Sequence, residues 1–225
     1  GKLHLRVEEY LSRGTPRVEP FCIHFDLCGG CTLQHLSYDV QLVLKGQMVA
    51  SALAEHLAPE ELPEAPESVE PVLRCEEDRR YRNKLEFSFS NGRWLTEEEK
   101  ERAGEIQDRR ALGFHVPGRF DRVLEIEECH LQPEPSNRIR NGLEAFTRER
   151  GYSYYDAREH RGLLRLLMIR TSLAGEVQVT VMFGQEEPEA REEVLGYLQS
   201  EFPEIDSLYY VVNTSKNDSM AEQLP

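Results

Sequence analysis

The alternation of apolar and polar residues predicts several short strands in the second half of the chain. Leu85, Phe87 and Phe89 alternate with polar residues, as in a strand with one buried face, and the Asn91-Gly92 pair after them predicts a hairpin turn. Further strands are predicted over 2–9, 111–116, 122–126, 163–172, 177–183 and 208–213, with a turn at Ala174-Gly175.

Apolar residues three and four positions apart predict helices elsewhere. One helix is predicted from Ser37, its N-cap, to about residue 57, another over 136–150 before Gly151, and a third over 188–200. The first helix has two apolar stripes on roughly opposite sides, one with Val43 and one with Val49. Either it is fully buried, or one stripe is covered by a domain that this chain does not contain. Because strands joined by hairpins alternate with inserted helices, the chain is predicted to have an α+β fold with a largely antiparallel sheet.

Composition and charge limit the classes of partner. The 27 Lys and Arg residues against 41 Asp and Glu residues leave a net charge of −14, which argues against coating nucleic acid through bulk positive charge but allows a local basic site. No apolar run reaches the roughly 18 residues of a membrane helix, so no membrane contact is expected. Without a start methionine or a secretory signal, we expect a cytoplasmic chain that begins within a longer protein.

The five cysteines are the most informative residues, because an odd number without a secretory signal indicates reduced thiols. Cys22, Cys28 and Cys31 fall within ten residues, and the two glycines before Cys31 let the backbone curl around whatever the sulfurs hold. Three thiolates on one loop require a fourth ligand. Zinc would accept His24, His35 or a distant residue, whereas a cubane iron–sulfur cluster requires a fourth thiolate.

The two distant cysteines differ in their surroundings. Cys129 follows a predicted strand, in a loop where a side chain can face a cluster, and is the preferred fourth ligand. Cys75 lies in the acidic connector 59–78, which would place more negative charge around an anionic cluster, and fits a small buried hydrophobe. The sequence therefore predicts a cysteine-rich metal-cluster loop whose metal ligands are Cys22, Cys28, Cys31 and Cys129.

Local groups of basic residues interrupt the acidic background. Arg79, Arg80, Arg82 and Lys84 surround Tyr81, whose ring could stack on an unpaired base. A second group accompanies Tyr154 and Tyr155, and for it RNA contact and ordinary ion pairing both remain open: Arg158, His160, Arg161, Arg165 and Arg170. A third group, on the helix predicted over 136–150, is interpreted as solvated surface: Arg138, Arg140, Arg148 and Arg150.

These motifs together resemble a known family. The segment Cys22-Ile-His-Phe-Asp-Leu-Cys28-Gly-Gly-Cys31 resembles the iron–sulfur loop of the RNA uracil-5-methyltransferase family, whose S-adenosylmethionine-dependent members form 5-methyluridine in ribosomal and transfer RNA. Further segments match in the family's order: Tyr81-Arg82-Asn83-Lys84, Ala111-Leu112-Gly113-Phe114 and Ile126-Glu127-Glu128-Cys129. The resemblance covers about residues 18 to 213. It implies a 4Fe-4S cluster with Cys129 as fourth ligand, and RNA contacts by Tyr81, Arg82 and Lys84.

The resemblance also implies a division of the chain. Residues 1–20 resemble the end of an N-terminal barrel and a linker, 21–213 a central iron–sulfur and RNA-contacting domain, and 214–225 a connector toward a methyltransferase domain that is missing here. No strand, glycine-rich turn and helix for a nucleoside cofactor is found, so S-adenosylmethionine is expected in the parent protein only. No catalytic residue is assigned, and 23S ribosomal RNA is favoured over transfer RNA as the partner.

Two other function classes remain open at this stage. A zinc-binding adaptor could recognise a protein through the acidic surface, and metal analysis would separate it from the first hypothesis. An electron-transfer module would use the same cysteines for a cluster that cycles between oxidation states, and a reversible reduction would support it.

Overall fold

The computed structural model describes residues 17–56 and 70–217, and the predicted strand over 2–9 lies outside them. The chain divides into two compact units, Gly1–Ile23 with Leu33–Asp78 and His24–Thr32 with Arg79–Pro225. The segment His24–Thr32, called the cysteine loop below, contains Cys28 and Cys31, whereas Cys22 belongs to the first unit.

The first unit contains helix α1, Tyr38–His56. Ser37 acts as the predicted N-cap, since its Oγ accepts a hydrogen bond from the Val40 N–H at 3.4 Å. None of the helix residues is buried, and both predicted apolar stripes have exposed members, among them Val43 and Val49. Before the helix, the Val18 N–H donates to the carbonyl of His35 at 3.0 Å, so the end of the predicted linker pairs with the residues before α1.

The second unit is built on a six-stranded sheet. In chain order, the elements of this unit are β1 Lys84–Ser90, α2 Glu97–Glu101, β2 Ala111–His115, β3 Val123–Glu125, α3 Ser136–Glu149, β4 Leu164–Thr171, β5 Val177–Phe183, α4 Pro188–Glu201 and β6 Ile205–Val212. The strand order in the sheet is β3-β2-β1-β4-β5-β6. All neighbouring strands are antiparallel except β5 and β6, which are parallel, so the predicted α+β fold with a largely antiparallel sheet is confirmed.

Helices α3 and α4 cover one face of this sheet and form the core with it. The alternating apolar residues of β1 and β5 enter the same cluster as Ile139 and Leu143 of α3 and Val194 and Leu198 of α4. Burial of these side chains is the main source of stability, at roughly 1.5–3 kcal/mol for each large apolar residue. α3 ends as predicted before Gly151, which has a φ of +71°.

The hairpin predicted at Asn91-Gly92 is wrong. β1 ends there, but its antiparallel partner β2 begins only after an insertion over 91–110 that contains α2. Gly92 is required for a different reason, because a Cβ at this position would lie 2.4 Å from the carbonyl oxygen of Asp121. In the insertion, Thr96 and Glu99 form a capping box that starts α2.

The final strand begins earlier than the predicted range, at Ile205, and pairs in parallel with β5. A parallel neighbour requires a crossover connection, and α4 supplies it. Among the described residues, no helix is both long enough and apolar enough to cross a membrane.

Candidate metal-cluster site

Backbone hydrogen bonds hold the cysteine loop in the second unit. The carbonyl of His24 accepts from the N–H groups of Leu27 at 3.3 Å and Cys28 at 2.8 Å, which closes a tight turn. The Gly29 N–H donates to the carbonyl of His115, at the end of β2, and a Cβ at Gly29 would lie 2.6 Å from that oxygen. Glycine is therefore needed for the loop to approach β2 this closely.

The sulfur of Cys28 accepts a hydrogen bond within the loop, from the Gly30 N–H at 3.3 Å. A backbone N–H directed at a cysteine sulfur stabilises the thiolate, which is the form that binds metal. Gly30 lies close to the segment that follows Cys129, since a Cβ at Gly30 would be 4.0 Å from the side chain of Leu131. Cys28 and Cys31, both half-buried, pack against the core cluster that contains Cys129. Three of the predicted ligands, Cys28, Cys31 and Cys129, thus belong to or pack against the same core cluster of the second unit.

The first turn of α3 holds the segment that carries Cys129. The Cys129 N–H donates to Oδ1 of Asn137 at 2.8 Å, and Nδ2 of Asn137 donates back to the Cys129 carbonyl at 3.2 Å. Both residues are buried, and Cys129 is 8% exposed. This reciprocal pair of bonds fixes the backbone of Cys129 at the edge of the core.

His24 joins the two cysteine-bearing segments of the unit. Its Nε2 accepts a hydrogen bond from the Glu127 N–H, two residues before Cys129, at 3.0 Å. Burial lowers the pKa of His24, which favours the neutral ring that can accept at Nε2. The sequence left His24 open as a zinc ligand, and in the structure this nitrogen positions the loop.

Arg140, on α3, is a fully buried cation next to these segments. Its side chain is 0% exposed. Its Nη2 donates to the carbonyl of Glu127 at 2.9 Å and to Oδ1 of Asn141 at 2.8 Å, and the guanidinium lies 5.2 Å from the ring centroid of Phe87. Among the described residues, however, its Nε and Nη1 are buried without a hydrogen-bond partner.

The surroundings of Arg140 fit a group that holds the cysteine sulfurs as thiolates. Burial lowers the pKa of Arg140, while negative charge at Cys129, and then at Glu144, Glu134 and Cys28, acts to raise it. A buried cation with unmatched N–H groups is costly unless an anion lies close to it. Thiolates bound to a metal or to an iron–sulfur cluster supply such an anion, so the donor set and the buried arginine suit one another.

The remaining cysteines lie in the first unit. The Cys22 N–H donates to Oε1 of Gln34 at 3.3 Å. Cys75 is exposed, so its interpretation as a buried hydrophobe is wrong, and its N–H donates to the Tyr38 hydroxyl at 3.0 Å. Across residues 17–56 and 70–217, no three His, Cys, Asp or Glu side chains form a group that could hold a single metal ion.

The predicted RNA-binding residues Tyr81 and Arg82 lie beside the Cys129 segment. The Arg80 N–H donates to the carbonyl of His130, and the Arg82 N–H to that of Leu131, both at 2.8 Å. These two bonds place the residues immediately before β1 alongside the residues immediately after Cys129. The side chain of Tyr81 is 57% exposed, and that of Arg82 is also exposed, so both are accessible to a ligand.

Lys84 lies farther along, at the start of β1. Its Nζ forms an exposed ion pair with Glu86 at 2.7 Å. Across the sheet it is the register partner of Arg170, which is also exposed. The structure therefore brings Lys84 close to a second basic residue that the sequence assigned to another group.

Most of the second basic group has structural contacts. Arg165 is 4% exposed and donates to the carbonyls of Asn213 at 2.8 Å and Ser215 at 2.7 Å, so it holds the chain that follows β6. Tyr154 and Tyr155 are buried and do not present their rings to a ligand. Ordinary structural pairing, one of the two alternatives left open, thus accounts for Arg165.

The interpretation of the α3 arginines as solvated surface is wrong for Arg140, which is fully buried, and for Arg148, which is half-buried and pairs with Glu144 at 3.0 Å. It is right for Arg138 and Arg150, which are exposed. Arg140 is the residue of the candidate site that sequence reasoning missed. Its position, three residues before the buried Leu143, was the available signal.

No protein-family model matches the chain. Curated proteins named as uncharacterized RNA methyltransferases match most of it. The protein of Porphyromonas gingivalis is 44% identical over 212 residues, which are 92% of this chain and 44% of that protein. The protein of Bacteroides thetaiotaomicron is 42% identical, over 91% of this chain and 44% of that protein, and the protein of Clostridium tetani is 30% identical, over 90% and 40%. The chain therefore spans less than half the length of the curated relatives it matches.

A solved structure is similar to this chain in fold. It is the Pyrococcus abyssi tRNA (uracil-54, C5)-methyltransferase in complex with S-adenosyl-L-homocysteine, with a TM-score of 0.59 and 23% identity, over 91% of this chain and 39% of that one. At this identity the likeness supports the fold alone. The curated relatives, which match about nine-tenths of this chain's residues, show that the chain is similar to proteins named as RNA methyltransferases.

Proposed function

We propose that this chain is the central iron–sulfur and RNA-contacting part of an S-adenosylmethionine-dependent RNA (uracil-5-)-methyltransferase that acts on 23S ribosomal RNA. The observation that carries this proposal is the meeting of the Cys28 and Cys129 segments beside the unmatched N–H groups of the buried Arg140. The resemblance of the cysteine motif and the names of the relatives support the reaction, and the solved neighbour's name specifies C5 of uracil in a transfer RNA.

In this proposal the cluster ligands are Cys22, Cys28, Cys31 and Cys129. The bound 4Fe-4S group would supply a cross-link between the two cysteine-bearing segments, and methyl transfer requires no redox step from it. Arg140 offsets the negative charge of the thiolates, the Gly30 N–H stabilises Cys28, and Asn137 holds the backbone of Cys129.

The RNA contacts follow from the placement of Tyr81 and Arg82. Both are exposed and lie beside the residues that follow Cys129. A cluster that holds the Cys129 segment in place would thereby also hold this pair, Tyr81 for stacking on an unpaired base and Arg82 for a phosphate. Lys84 would add a second charge at the start of β1.

The chemistry itself is assigned to residues outside this chain. Uracil C5 would become nucleophilic when a thiolate adds to C6, and would take the methyl group from the sulfonium of S-adenosylmethionine, which leaves as S-adenosylhomocysteine. A general base would then remove the C5 proton as the C6–S bond breaks and the thiolate is released. No residue described here is assigned either role, and S-adenosylmethionine would bind in the remainder of the parent protein. This chain would bind and orient the RNA, and a flipped base would reach the catalytic residues elsewhere.

The test is to incubate the parent protein with S-adenosylmethionine and either unmodified 23S ribosomal RNA or unmodified transfer RNA, and to digest the RNA for nucleoside mass spectrometry. We expect 5-methyluridine in the ribosomal RNA. Its appearance in transfer RNA alone would overturn the ribosomal substrate, and methylation at another atom would overturn the uracil-5 reaction. None of the structural observations favours the zinc adaptor.

A further inference from the structure

A cleft of about 570 Å³ lies in the second unit, formed by the 91–110 insertion and the loop before β3. It is lined by five basic side chains and the chain's single tryptophan: Arg93, Lys100, Arg109, Arg119, Arg122 and Trp94. Within the described part of the chain, no acidic residue lines it. In a chain of net charge −14, so many cations on one concave surface form a local exception.

The carboxylate behind this surface compensates only part of its charge. Asp121, whose side chain is 5% exposed, lies 2.6 Å from Arg158, 3.2 Å from Arg119 and 4.0 Å from Arg122. Arg158 and Arg119 hold the pKa of Asp121 well below its usual range, so the carboxylate stays ionised. One negative charge therefore serves three arginines, and two positive charges of this group remain uncompensated.

The other cations of the cleft divide into two kinds. Arg93 and Lys100 each pair with a glutamate at 2.6 Å, and their charge is already matched. Arg109 instead donates to the carbonyl of Ala103 at 2.8 Å, an acceptor without formal charge. The positive excess is therefore concentrated at Arg109, Arg119 and Arg122.

Trp94 provides an aromatic surface beside these charges. Its backbone N–H donates to the carbonyl of Val123 at 2.7 Å, which fixes it against β3, and the Lys100 ammonium lies 5.0 Å from its ring centroid. An aromatic ring next to a basic groove is the usual arrangement for binding single-stranded nucleic acid, because a base stacks on the ring while the cations hold the phosphates.

We propose that this cleft binds the phosphates of a single-stranded RNA segment, with Trp94 against a base. The proposal rests on the proposed function, which makes RNA the partner, and it adds a binding site that the sequence motifs did not indicate. Guanidinium groups match phosphate oxygens in a bidentate geometry, which suits Arg109, Arg119 and Arg122. A neutral small molecule would require a mostly apolar, enclosed pocket, and the lining here is mostly cationic.

The single tryptophan makes the test specific to the cleft. The iron-loaded chain is titrated with oligouridylate of about eight nucleotides, a length within the range of single-strand binding sites. Binding anywhere on the chain is measured by the anisotropy of the fluorescein-labelled oligonucleotide. Binding in the cleft is measured by the fluorescence of Trp94, which a stacked base is expected to quench.

The variant removes two uncompensated charges as Arg119→Gln with Arg122→Gln. The matched control, Arg138→Gln with Arg150→Gln, changes net charge equally at ion-paired arginines of similar exposure, 59% and 49% against 46% and 41%. The cleft variant should bind roughly 10-fold more weakly at about 0.1 M salt, and the slope of log affinity against log salt should fall by about 1.4, or about 0.7 for each lost phosphate contact. The control should change affinity less than about 2-fold. Iron content and far-UV circular dichroism confirm that both variants are folded.

Two results would overturn the proposal, and they differ in what else they overturn. If the RNA binds with unchanged Trp94 fluorescence and the cleft variant behaves like the control, the cleft is wrong while RNA binding by this chain stands. If the anisotropy shows no binding at all, the RNA-contacting role in the proposed function fails as well.

Discussion

Two regions of the second unit contain functionally interesting arginines that differ in their exposure to solvent. Beside the cysteine loop, Arg140 is fully buried, and two of its nitrogens have no partner among the described residues. At the cleft, Arg119 and Arg122 are 46% and 41% exposed and share the carboxylate of Asp121. The same side-chain type is thus a buried charge in one region and a solvated charge in the other.

This difference in burial determines whether the arginines of a region bind a resident anion or an exchangeable one. A buried cation requires an anion that stays within the protein, because desolvation is costly and salt ions do not reach it. The charge of exposed cations is screened over about 10 Å at 0.1 M salt, so they can bind an anion reversibly. The cysteine loop therefore suits a resident thiolate-bound group, and the cleft suits an exchangeable RNA.

Two carboxylates of α3 show the same contrast between a buried and an exposed charge. Their substitution gives the largest expected effect, on the pH dependence of the free energy of unfolding. Burial raises the pKa of Glu144 to about 7, from the ordinary value of 4.5, whereas Glu149 is exposed. Because the folded chain binds this proton more tightly, the free energy of unfolding should fall as pH rises from about 4.5 to about 7. The loss is about 3 kcal/mol, since a tenfold change in proton affinity corresponds to about 1.4 kcal/mol.

Glu144→Gln should remove this loss, as measured by urea unfolding at about pH 5 and pH 8. Glutamine still accepts from the Leu112 N–H, so the bond at 2.9 Å can be kept. The stability difference between wild type and variant should shift by about 2.5 kcal/mol between the two pH values. Glu149→Gln should shift it by less than about 0.5 kcal/mol, as expected for a surface site. Parallel pH dependence in wild type and Glu144→Gln would refute the assignment.

Arg140→Met should have the next largest effect, on cluster retention. Removing the buried cation leaves the thiolates of Cys28 and Cys129 uncompensated, so iron should be lost to a chelator on the order of 10- to 100-fold faster, as for other residues that support metal ligands. The measurement is the decay of visible absorption after chelator is added to the loaded chain.

Two further variants make the Arg140 result interpretable. Arg138→Met removes an exposed arginine from the same helix and should leave the rate unchanged. Arg140→Lys keeps the charge and should restore much of the retention, which a purely packing role of the side chain would not explain. Equal rates in wild type and Arg140→Met would show that the arginine does not support the cysteines.

Much of the second unit could be predicted from the sequence, because alternation and helix-end signals are local. Leu85, Phe87 and Phe89 face the core as predicted, and Gly151 follows α3. The Asn91-Gly92 pair led to a wrong hairpin prediction, because Gly92 is required by a long-range contact, the close approach of the Asp121 carbonyl. A turn rule based on neighbouring residues cannot register such a contact.

The candidate sites also combine features that are local in the sequence with features that only the fold brings together. The cysteine motif is local in part and could be identified, whereas Arg140 was hidden by the expectation that charged residues on a helix face solvent. The cleft draws its cations from positions between Arg93 and Arg122 that do not form a run in the sequence. Only the folding of the 91–110 insertion against the loop before β3 brings them to one cavity.

The central claim is that Cys22, Cys28, Cys31 and Cys129 hold an iron–sulfur cluster, and metal analysis tests it most directly. Wild type, Cys129→Ser and Cys75→Ser are purified without oxygen, and iron, sulfide and zinc are determined with a visible absorption spectrum. The account predicts about four irons and four sulfides per chain in wild type and in Cys75→Ser, and their loss in Cys129→Ser. One zinc without sulfide, or a cluster retained in Cys129→Ser and lost in Cys75→Ser, would contradict it.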